Sequence, residues 1–385
     1  MNKVTKIFRF SWLILCLVIV AVTGCGRHQN GETIVESSPE KEKLRVVTTL
    51  FPYYDFVRQV AGDRVDLTMV VPAGMDSHSF EPTPEDMKII QSADVLICNG
   101  GAMEHWLTEV LEAIDTSNMT IVTGMDYVDT VEEEIVEGME DDHDHHSHNH
   151  SHEYEADHVE EHSHGDEHSH GDEHAHEEEH SHEEDHAHEE EHTHEANHTH
   201  EDDGHGIEIE YDEHIWTSPV NCMTVVQVIG DTLAKTDSEN SSVYGANTEA
   251  YLSKLQDLDK EFREVTAREK RNTIVIGDKF PFRYLADEYG LDYRAAFSGC
   301  STDTEPSAKT IAYLIDKVRS EKIPVIYYLE LSSHRVSEII AEETGAVPLL
   351  LHSCHNVTRQ EFDGGVTYLQ LMEQNVINLR KGLTE

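Results

Sequence analysis

The sequence predicts an α/β protein made of two (β/α)4 lobes with parallel sheets, joined by a long linking helix. From Leu44 to the C-terminus, short apolar runs alternate with amphipathic segments, which is the pattern of parallel strands connected by crossover helices. A tract rich in His, Asp and Glu interrupts this alternation over residues 139–206. Two lobes also suit the length of the chain, 385 residues.

The first lobe is predicted to hold four strand–helix repeats. Pro52 can open the first helix at its first turn, and Gly62 can end it. A loop rich in Gly and Pro, residues 72–82, follows the second strand. The predicted strands are Leu44–Leu50, Val65–Val71, Val95–Cys98 and Thr120–Val122, and the later helices are Pro84–Ser92 and Trp106–Ile114.

Two helices are predicted after the tract. Ser218 and Pro219 occupy N-cap and first-turn positions of a helix that runs to about Lys235. The stretch Val243–Ala267 then carries a single apolar stripe and has no strand before it. This pattern indicates a linking helix between the lobes.

The second lobe repeats the alternation of strands and helices. Right-handed crossovers place the loops after parallel strands at one end of each sheet, so two facing lobes form a cleft there. The predicted strands are Thr273–Ile276, Tyr293–Phe297, Val325–Leu329 and Val347–Leu351. The first predicted helix starts at Pro281, and the other three span Ile311–Val318, Ser333–Thr344 and Leu369–Leu379.

The interrupting tract has the composition of a metal-binding segment. It holds 22 of the 29 histidines between His143 and His205, and residues 129–213 contain 35 acidic residues and no Lys or Arg. Imidazole mixed with carboxylate favours Zn²⁺, Cu²⁺ or Ni²⁺. So few apolar residues predict a disordered loop. A merely solvated acidic run is the alternative, but such a run has no need for alternating histidines.

The N-terminus is predicted to be a lipoprotein signal peptide, residues 1–24. Basic residues precede an apolar run that is short for a membrane span and ends at Cys25. Small residues before this cysteine resemble the lipobox of bacterial lipoproteins, in which the cysteine becomes the lipid anchor. Residues 25–43 would then be a tether on the outer face of the cell membrane of a bacterium. A plain secretory peptide with an incidental cysteine is the alternative.

The remaining chain divides into 44–240 as the N-terminal lobe, 241–269 as the linking helix and 270–385 as the C-terminal lobe. The formal charge of −49 is concentrated in the tract, and no basic surface of the kind that binds nucleic acid is evident. We therefore expect no nucleic-acid partner, and we expect a monomer.

Four cysteines remain outside the signal and anchor. Cys98 and Cys222 lie in apolar or helical surroundings and are expected to be buried. Cys300 and Cys354 lie in predicted loops, and an oxidising exterior favours a disulfide between them. Free thiols that join a metal site are the competing interpretation.

Four histidines fall in loops at the predicted cleft end of the sheets: His78, His214, His352 and His355. A single loop histidine is usually just exposed. Several that converge at one cleft indicate a metal site instead.

Three features together resemble the solute-binding lipoproteins of ABC-type zinc and manganese importers, the ZnuA-like family. They are the loop Gly74–Pro84 with His78, the run Asp212–Pro219 with His214, and the His-rich insertion just before that run. The resemblance extends from Leu44 to the C-terminus. It implies a metal held in the cleft by histidines and a carboxylate from both lobes.

The second lobe departs from the family pattern. Where the family usually has a histidine after the first strand, this sequence has a run that includes Asp278, and after the last strand it has His352 instead of a carboxylate. Because Zn²⁺ needs about four ligands, we expect His352 to supply the third nitrogen beside His78 and His214. Glu330, Asp278, His355 or water would complete the shell.

The predicted function is extracytoplasmic capture of Zn²⁺ and its delivery to the permease of an ABC importer, which has its own ATPase subunit. Manganese is the alternative cargo, although it prefers oxygen-rich shells. An external zinc store or surface adhesion lipoprotein is a second alternative. We expect no enzyme activity, since outside the His-rich tract the sequence has no His-Glu-x-x-His motif or comparable pairing of base and ligand.

Overall fold

The computed structural model describes residues 42–139, 211–299 and 305–384. It contains two four-stranded parallel sheets with helices around them, which confirms the predicted fold class. The strands are β1 Leu44–Thr48, β2 Val65–Met69, β3 Val95–Cys98, β4 Thr120–Thr123, β5 Thr273–Ile276, β6 Asp292–Ala295, β7 Val325–Tyr328 and β8 Val347–Leu350. The helices are α1 Phe51–Ala61, α2 Pro84–Gln91, α3 His105–Ala113, α4 Pro219–Thr236, α5 Ser241–Thr266, α6 Arg283–Tyr289, α7 Ala308–Glu321, α8 Arg335–Thr344, α9 Arg359–Asp363 and α10 Tyr368–Thr384.

Both sheets have the same topology. The order is β2-β1-β3-β4 in the first and β6-β5-β7-β8 in the second, with every pairing parallel. In each sheet the second strand in sequence lies on one side of the first strand, β1 or β5, and the later strands lie on its other side. At such a point the loops that follow the neighbouring central strands diverge, which leaves a crevice at the carboxyl edge of the sheet. This edge of each sheet faces the cleft.

Helix α5 links the two halves as predicted. One stripe of its side chains is buried, including Tyr251, Leu255 and Phe262. Through this stripe it packs on α1 and α4 beside the first sheet and on α10 beside the second. The divisions at 240/241 and 269/270 stay predictions, because Leu44–Glu385 forms a single compact unit.

One hydrophobic core serves both lobes. A continuous cluster of buried side chains runs from the first sheet through α4 and α5 to one face of the second sheet and α10, and a smaller cluster lies under α7 and α8. The start of α10 also bonds to the first lobe: the Tyr368 N–H donates to Asp55 Oδ2 at 2.7 Å, and its hydroxyl donates to the Trp216 carbonyl at 2.7 Å. The lobes are therefore held together at their base by buried contacts.

Residues 129–139, here called the strap, follow the first sheet in sequence but lie on the second lobe. Tyr293 donates to the Glu134 carboxylate at 3.4 Å, and Tyr313 donates to the Glu137 carboxylate at 3.0 Å. The predicted boundary at 240/241 places this acidic segment in the first lobe. Its crossing depends on partners far away in sequence, so no local pattern reveals it.

The predicted His-rich insertion, residues 139–206, lies outside the described residues except for its first position. The described segments on its two sides meet. Glu132 forms an isolated antiparallel bridge with Tyr211, and the Asp212 N–H donates to the Val131 carbonyl at 2.9 Å. The chain therefore returns beside the segment from which it departed.

Within residues 42–139, 211–299 and 305–384, no helix combines the length and the apolar character that crossing a membrane requires.

Candidate metal centre

Three histidines meet in the cleft. His78 lies in a short 3-10 turn after β2, His214 lies just before α4, and His355 lies in the loop after β8. One ring nitrogen from each lies within 4.8 Å of the others. The ring centroids are 6.1 Å apart for His78 and His214, 5.6 Å for His78 and His355, and 5.7 Å for His214 and His355. Nitrogens at this spacing can share one ion that needs each at about 2.0–2.1 Å after small side-chain adjustments.

The loop of His78 is fixed from both lobes. Asp76 caps the turn, because its Oδ1 accepts the His78 backbone N–H at 3.0 Å. From the second lobe, the buried Asn356 side chain donates to the carbonyls of Pro72 at 2.8 Å and Met75 at 2.6 Å. The residue next to His355 thus holds the loop that presents His78.

His214 is oriented by the buried carboxylate of Asp212. Asp212 Oδ1 accepts the His214 backbone N–H at 2.8 Å and lies 3.2 Å from Nδ1 of its ring. A hydrogen bond from Nδ1 to a carboxylate fixes the ring and leaves Nε2 as the metal-binding atom. Tyr284 of the second lobe donates to the Asp212 carbonyl at 2.7 Å and so supports this loop from across the cleft.

Glu213 anchors the same loop to the first lobe. Its carboxylate accepts the backbone N–H groups of Ala102 and Met103, the latter at 2.7 Å, and the Asn99 side chain donates to its carbonyl at 2.9 Å. Burial raises the pKa of the Glu213 carboxyl. Beneath it, Glu104 is fully buried, and desolvation raises its pKa to about 7.

His355 reaches the cleft because the loop after β8 turns sharply before it. Cys354 has φ +60°, in the left-handed region. The Ser353 hydroxyl accepts the His355 backbone N–H at 3.1 Å, and the Ser77 hydroxyl of the first lobe contacts its Nε2. The Trp216 ring lies 5.5 Å from the His355 ring.

His352, predicted as the third ligand, points into the interior instead. Its side chain is 2% exposed, its backbone N–H donates to Asn375 Oδ1 at 2.8 Å, and its Nδ1 accepts the Cys354 N–H at 2.9 Å. The turn at Cys354 separates the two histidines, so that His352 stays on the core side and His355 faces the cleft. The second-lobe histidine of the cluster is therefore His355, and His352 lies outside it.

The two acidic residues named as further candidates line the cleft without joining the cluster. Glu330 accepts hydrogen bonds from the Ser353 backbone, at 2.8 Å, and from the Ser353 hydroxyl. Asp278 Oδ1 accepts the Lys279 N–H at 3.0 Å. Among the described residues, the group of converging donors consists of the three imidazoles alone.

Two of the three imidazoles are kept uncharged. Desolvation, followed by the neighbouring His214, lowers the pKa of His78 from 6.5 to about 4. Burial, followed by the two other imidazoles and Lys279, holds the pKa of His355 well below its ordinary value. Since the metal-binding form of imidazole is the neutral one, both rings are ready to bind metal at neutral pH.

The comparison with known families decides the relationship. The family described as ZnuA, zinc-uptake complex component A periplasmic, matches residues 46–382. The chain belongs to the ZnuA family. The resemblance drawn from the two loop motifs and the insertion is thereby confirmed.

Individual members of the ZnuA family share about a third of their residues with this chain. The high-affinity zinc uptake system protein ZnuA of Bacillus subtilis is 30% identical over 368 residues, which cover 96% of this chain and 95% of that protein. The zinc-binding protein AdcA of Streptococcus pyogenes serotype M3 is 32% identical over 338 residues, covering 88% of this chain. The chain spans only 56% of that AdcA.

Solved ZnuA-like structures share the fold. The metal-dependent lipoprotein YcdH of Bacillus subtilis has a TM-score of 0.63 at 26% identity, and covers 89% of this chain and 100% of that chain. The Zn(II)-bound ZnuA-like domain of Streptococcus pneumoniae AdcA has a TM-score of 0.61 at 25% identity, with the same coverage.

The second lobe contributes two loops to the cleft wall. His355 stands in the loop after β8, and the loop after β5 contributes Asp278 and Lys279. Lys279 is easily missed in the sequence, because a lysine is not a usual zinc ligand. Its position at the carboxyl end of a central strand is the signal that could have identified it.

The cysteines do not take part in the cluster. Cys98, Cys222 and Cys354 are free and buried. The structure does not support the predicted disulfide between Cys300 and Cys354, because Cys354 faces the core with a free thiol; Cys300 lies outside the described residues. Cys25, the predicted lipid anchor, also lies outside them.

The low imidazole pKa values predict a pH-dependent stability of the metal-free chain. Between pH ~6.5 and ~4 the unfolded chain binds protons at His78 and His355 that the folded chain excludes, so the free energy of unfolding falls as the pH is lowered through this range. Each group contributes at most about 1.4 kcal/mol per pH unit. Denaturant titrations at several pH values should show this slope, and His355→Gln should reduce it. An unchanged slope in that variant would contradict the assignment, whereas His105→Ala, on the exposed surface of α3, serves as the control.

Proposed function

We propose that this chain captures Zn²⁺ outside the cytoplasm and delivers it to the permease of an ABC importer. The observation that carries the proposal is the convergence of His78, His214 and His355 within 4.8 Å, on loops from both lobes. Two lobes that each supply part of a metal shell hold the ion between them, and a change in their spacing then releases it. The site performs no chemistry on its cargo in this proposal.

Zinc is favoured over manganese by the donor set. Three imidazole nitrogens form a nitrogen-rich shell, whereas Mn²⁺ prefers carboxylate, carbonyl and water oxygens. The relatives named above are a zinc uptake system protein and a zinc-binding protein, which supports the same choice. Cu²⁺ also binds imidazole strongly, so the availability of the metal contributes to selectivity.

We further propose that the mature chain is a monomeric lipoprotein anchored through Cys25, with residues 25–43 as its tether and with a permease and its ATPase subunit as partners. A relative from Streptococcus pneumoniae, 29% identical over 354 residues, carries the name zinc-binding lipoprotein AdcA. Anchoring would keep the two lobes close to the membrane that contains the permease.

The His-rich insertion is proposed to act as a low-affinity collector of metal near the cleft. Its histidines would release metal as the pH falls through about 6.5, where free imidazole protonates. The second candidate, an external zinc store or adhesion lipoprotein, would place most of the metal in the insertion. The two candidates therefore differ in where the tight site lies.

Zinc uptake by cells that lack the native chain tests the proposal. Cells supplied with the wild-type chain, the His78→Ala variant or a variant without residues 140–210 would be compared by their accumulation of labelled zinc, first in zinc-limited medium and then with added zinc. We expect the wild-type chain to restore uptake, His78→Ala to restore less than about a tenth of it, and the deletion variant to retain it when zinc is plentiful. Tight binding by the purified deletion variant would accompany this result.

Two outcomes would contradict the proposal. Full uptake with His78→Ala would remove the cleft from the pathway. Loss of all tight zinc binding in the deletion variant would favour the storage candidate instead. His105→Ala, which changes an exposed histidine outside the cleft, is the matched control and should behave like the wild-type chain.

A further inference from the structure

The three histidines of the cleft would fill three of the four coordination positions of a zinc ion. Zn²⁺ takes four ligands near tetrahedral geometry, and the converging group among the described residues supplies three nitrogens. The three rings border a cavity of about 290 Å³. A water molecule occupies about 30 Å³ in the liquid, so this space holds an ion and small ligands besides.

The carboxylates around the cavity lie outside the group of metal-binding donors. Asp76 Oδ1 accepts the His78 backbone N–H, and Asp212 Oδ1 accepts two N–H groups of His214. Glu330 accepts two hydrogen bonds from Ser353, and Asp278 Oδ1 accepts the backbone N–H of the next residue. Each acid has a structural partner, and none lies within the group of metal-binding donors.

A lysine borders the same cavity. Lys279 is half-buried in the cleft wall contributed by the second lobe, and among the described residues no carboxylate forms an ion pair with it. Its charge acts on both His78 and His355. A cation at this position repels a zinc ion held by three neutral imidazoles, because these ligands do not compensate the double charge of the metal.

We propose that the fourth zinc position takes a small monocarboxylate anion from solution, held between the metal and the Lys279 ammonium. The inference rests on the proposed function, since it concerns the form in which the same site carries zinc. The anion replaces water on the metal and lies between two positive charges, which removes their repulsion and adds a charge-assisted hydrogen bond. Zinc is then carried as a mixed complex with three protein ligands and one exogenous ligand.

Cobalt spectroscopy with acetate as the probe tests this inference. Co²⁺ binds to similar ligand sets and reports on its fourth ligand through its visible absorption. Half an equivalent of Co²⁺ is added to the purified full chain in a nitrate buffer, so that the tightest site fills first, and acetate is then titrated. We expect a saturable change of the visible bands in the wild-type chain.

Variants of the lysine assign the effect. Lys279→Gln should bind cobalt but lower the apparent acetate affinity at least tenfold, and Lys279→Arg should restore it to within about threefold, because the charge is retained. Lys88→Gln is the matched control, since Lys88 lies on α2 with a side chain that is 73% exposed. It should leave the acetate titration unchanged.

Several results would overturn the inference while the proposed function stands. They are a tight cobalt site without any response to acetate, an unchanged acetate affinity in Lys279→Gln, or a sulfur-to-cobalt charge-transfer band that places a thiolate in the fourth position. Failure of the proposed function looks different. In that case His78→Ala would bind cobalt as tightly and with the same spectrum as the wild-type chain.

Discussion

Replacing His355 with alanine should lower the zinc affinity of the cleft at least a hundredfold, or about 2.8 kcal/mol. His355 supplies one of three nitrogens that lie within 4.8 Å of one another, and in the described residues no other histidine can take its place. Competition titration with a chelator, with less than one equivalent of zinc, measures this affinity without filling the insertion.

His352→Gln gives the sharpest contrast to that variant. His352 lies three residues earlier and is buried against Asn375, so its replacement should leave zinc affinity within about threefold while it lowers the thermal stability of the chain. His105→Ala controls for the loss of an exposed histidine. Equal losses of affinity in the His352 and His355 variants would show that the loop after β8 presents both rings to the metal.

Asp212→Ala should weaken zinc binding by about 10- to 100-fold, although Asp212 does not join the cluster. Its carboxylate accepts hydrogen bonds from the backbone N–H and from Nδ1 of His214. Removal of a partner that orients a metal-binding histidine typically weakens metal binding by this factor. Asp212→Asn keeps an acceptor oxygen and should recover part of the loss. Chelator competition gives the affinities, and thermal unfolding of the metal-free variants separates lost orientation from lost folding.

Asp76→Ala is the matched control for this effect. Asp76 also lies beside a cluster histidine, but its side chain accepts only the backbone N–H of His78. We expect a loss of less than about tenfold. If the two variants lost affinity equally, the negative charge near the cleft would matter rather than the orientation of the His214 ring.

The fold could be predicted because each element carries a local signal. Pro52, Gly62 and Ser218 lie at helix ends in the structure as the sequence indicated. The observed strands begin and end within two residues of the predicted ones, and Val95–Cys98 and Thr273–Ile276 have the predicted bounds. Helix α9, only five residues long, has too little periodicity to be predicted from the sequence.

The candidate site could be predicted only in part. His78 and His214 follow from their loops at the carboxyl end of the first sheet. The choice between His352 and His355 depends on one left-handed residue, Cys354, where a cysteine gives no sequence signal of the kind that glycine gives. The supporting bonds from Asn356 and Tyr284 join residues more than 70 positions apart, and no pattern in the sequence indicates them.

The most direct test is a crystal structure of the chain with one equivalent of zinc, with the metal located by its anomalous scattering. We expect a single strong peak at about 2.0–2.1 Å from one nitrogen each of His78, His214 and His355. A principal peak bound to His352, or one located away from the cleft altogether, would contradict the three-histidine site.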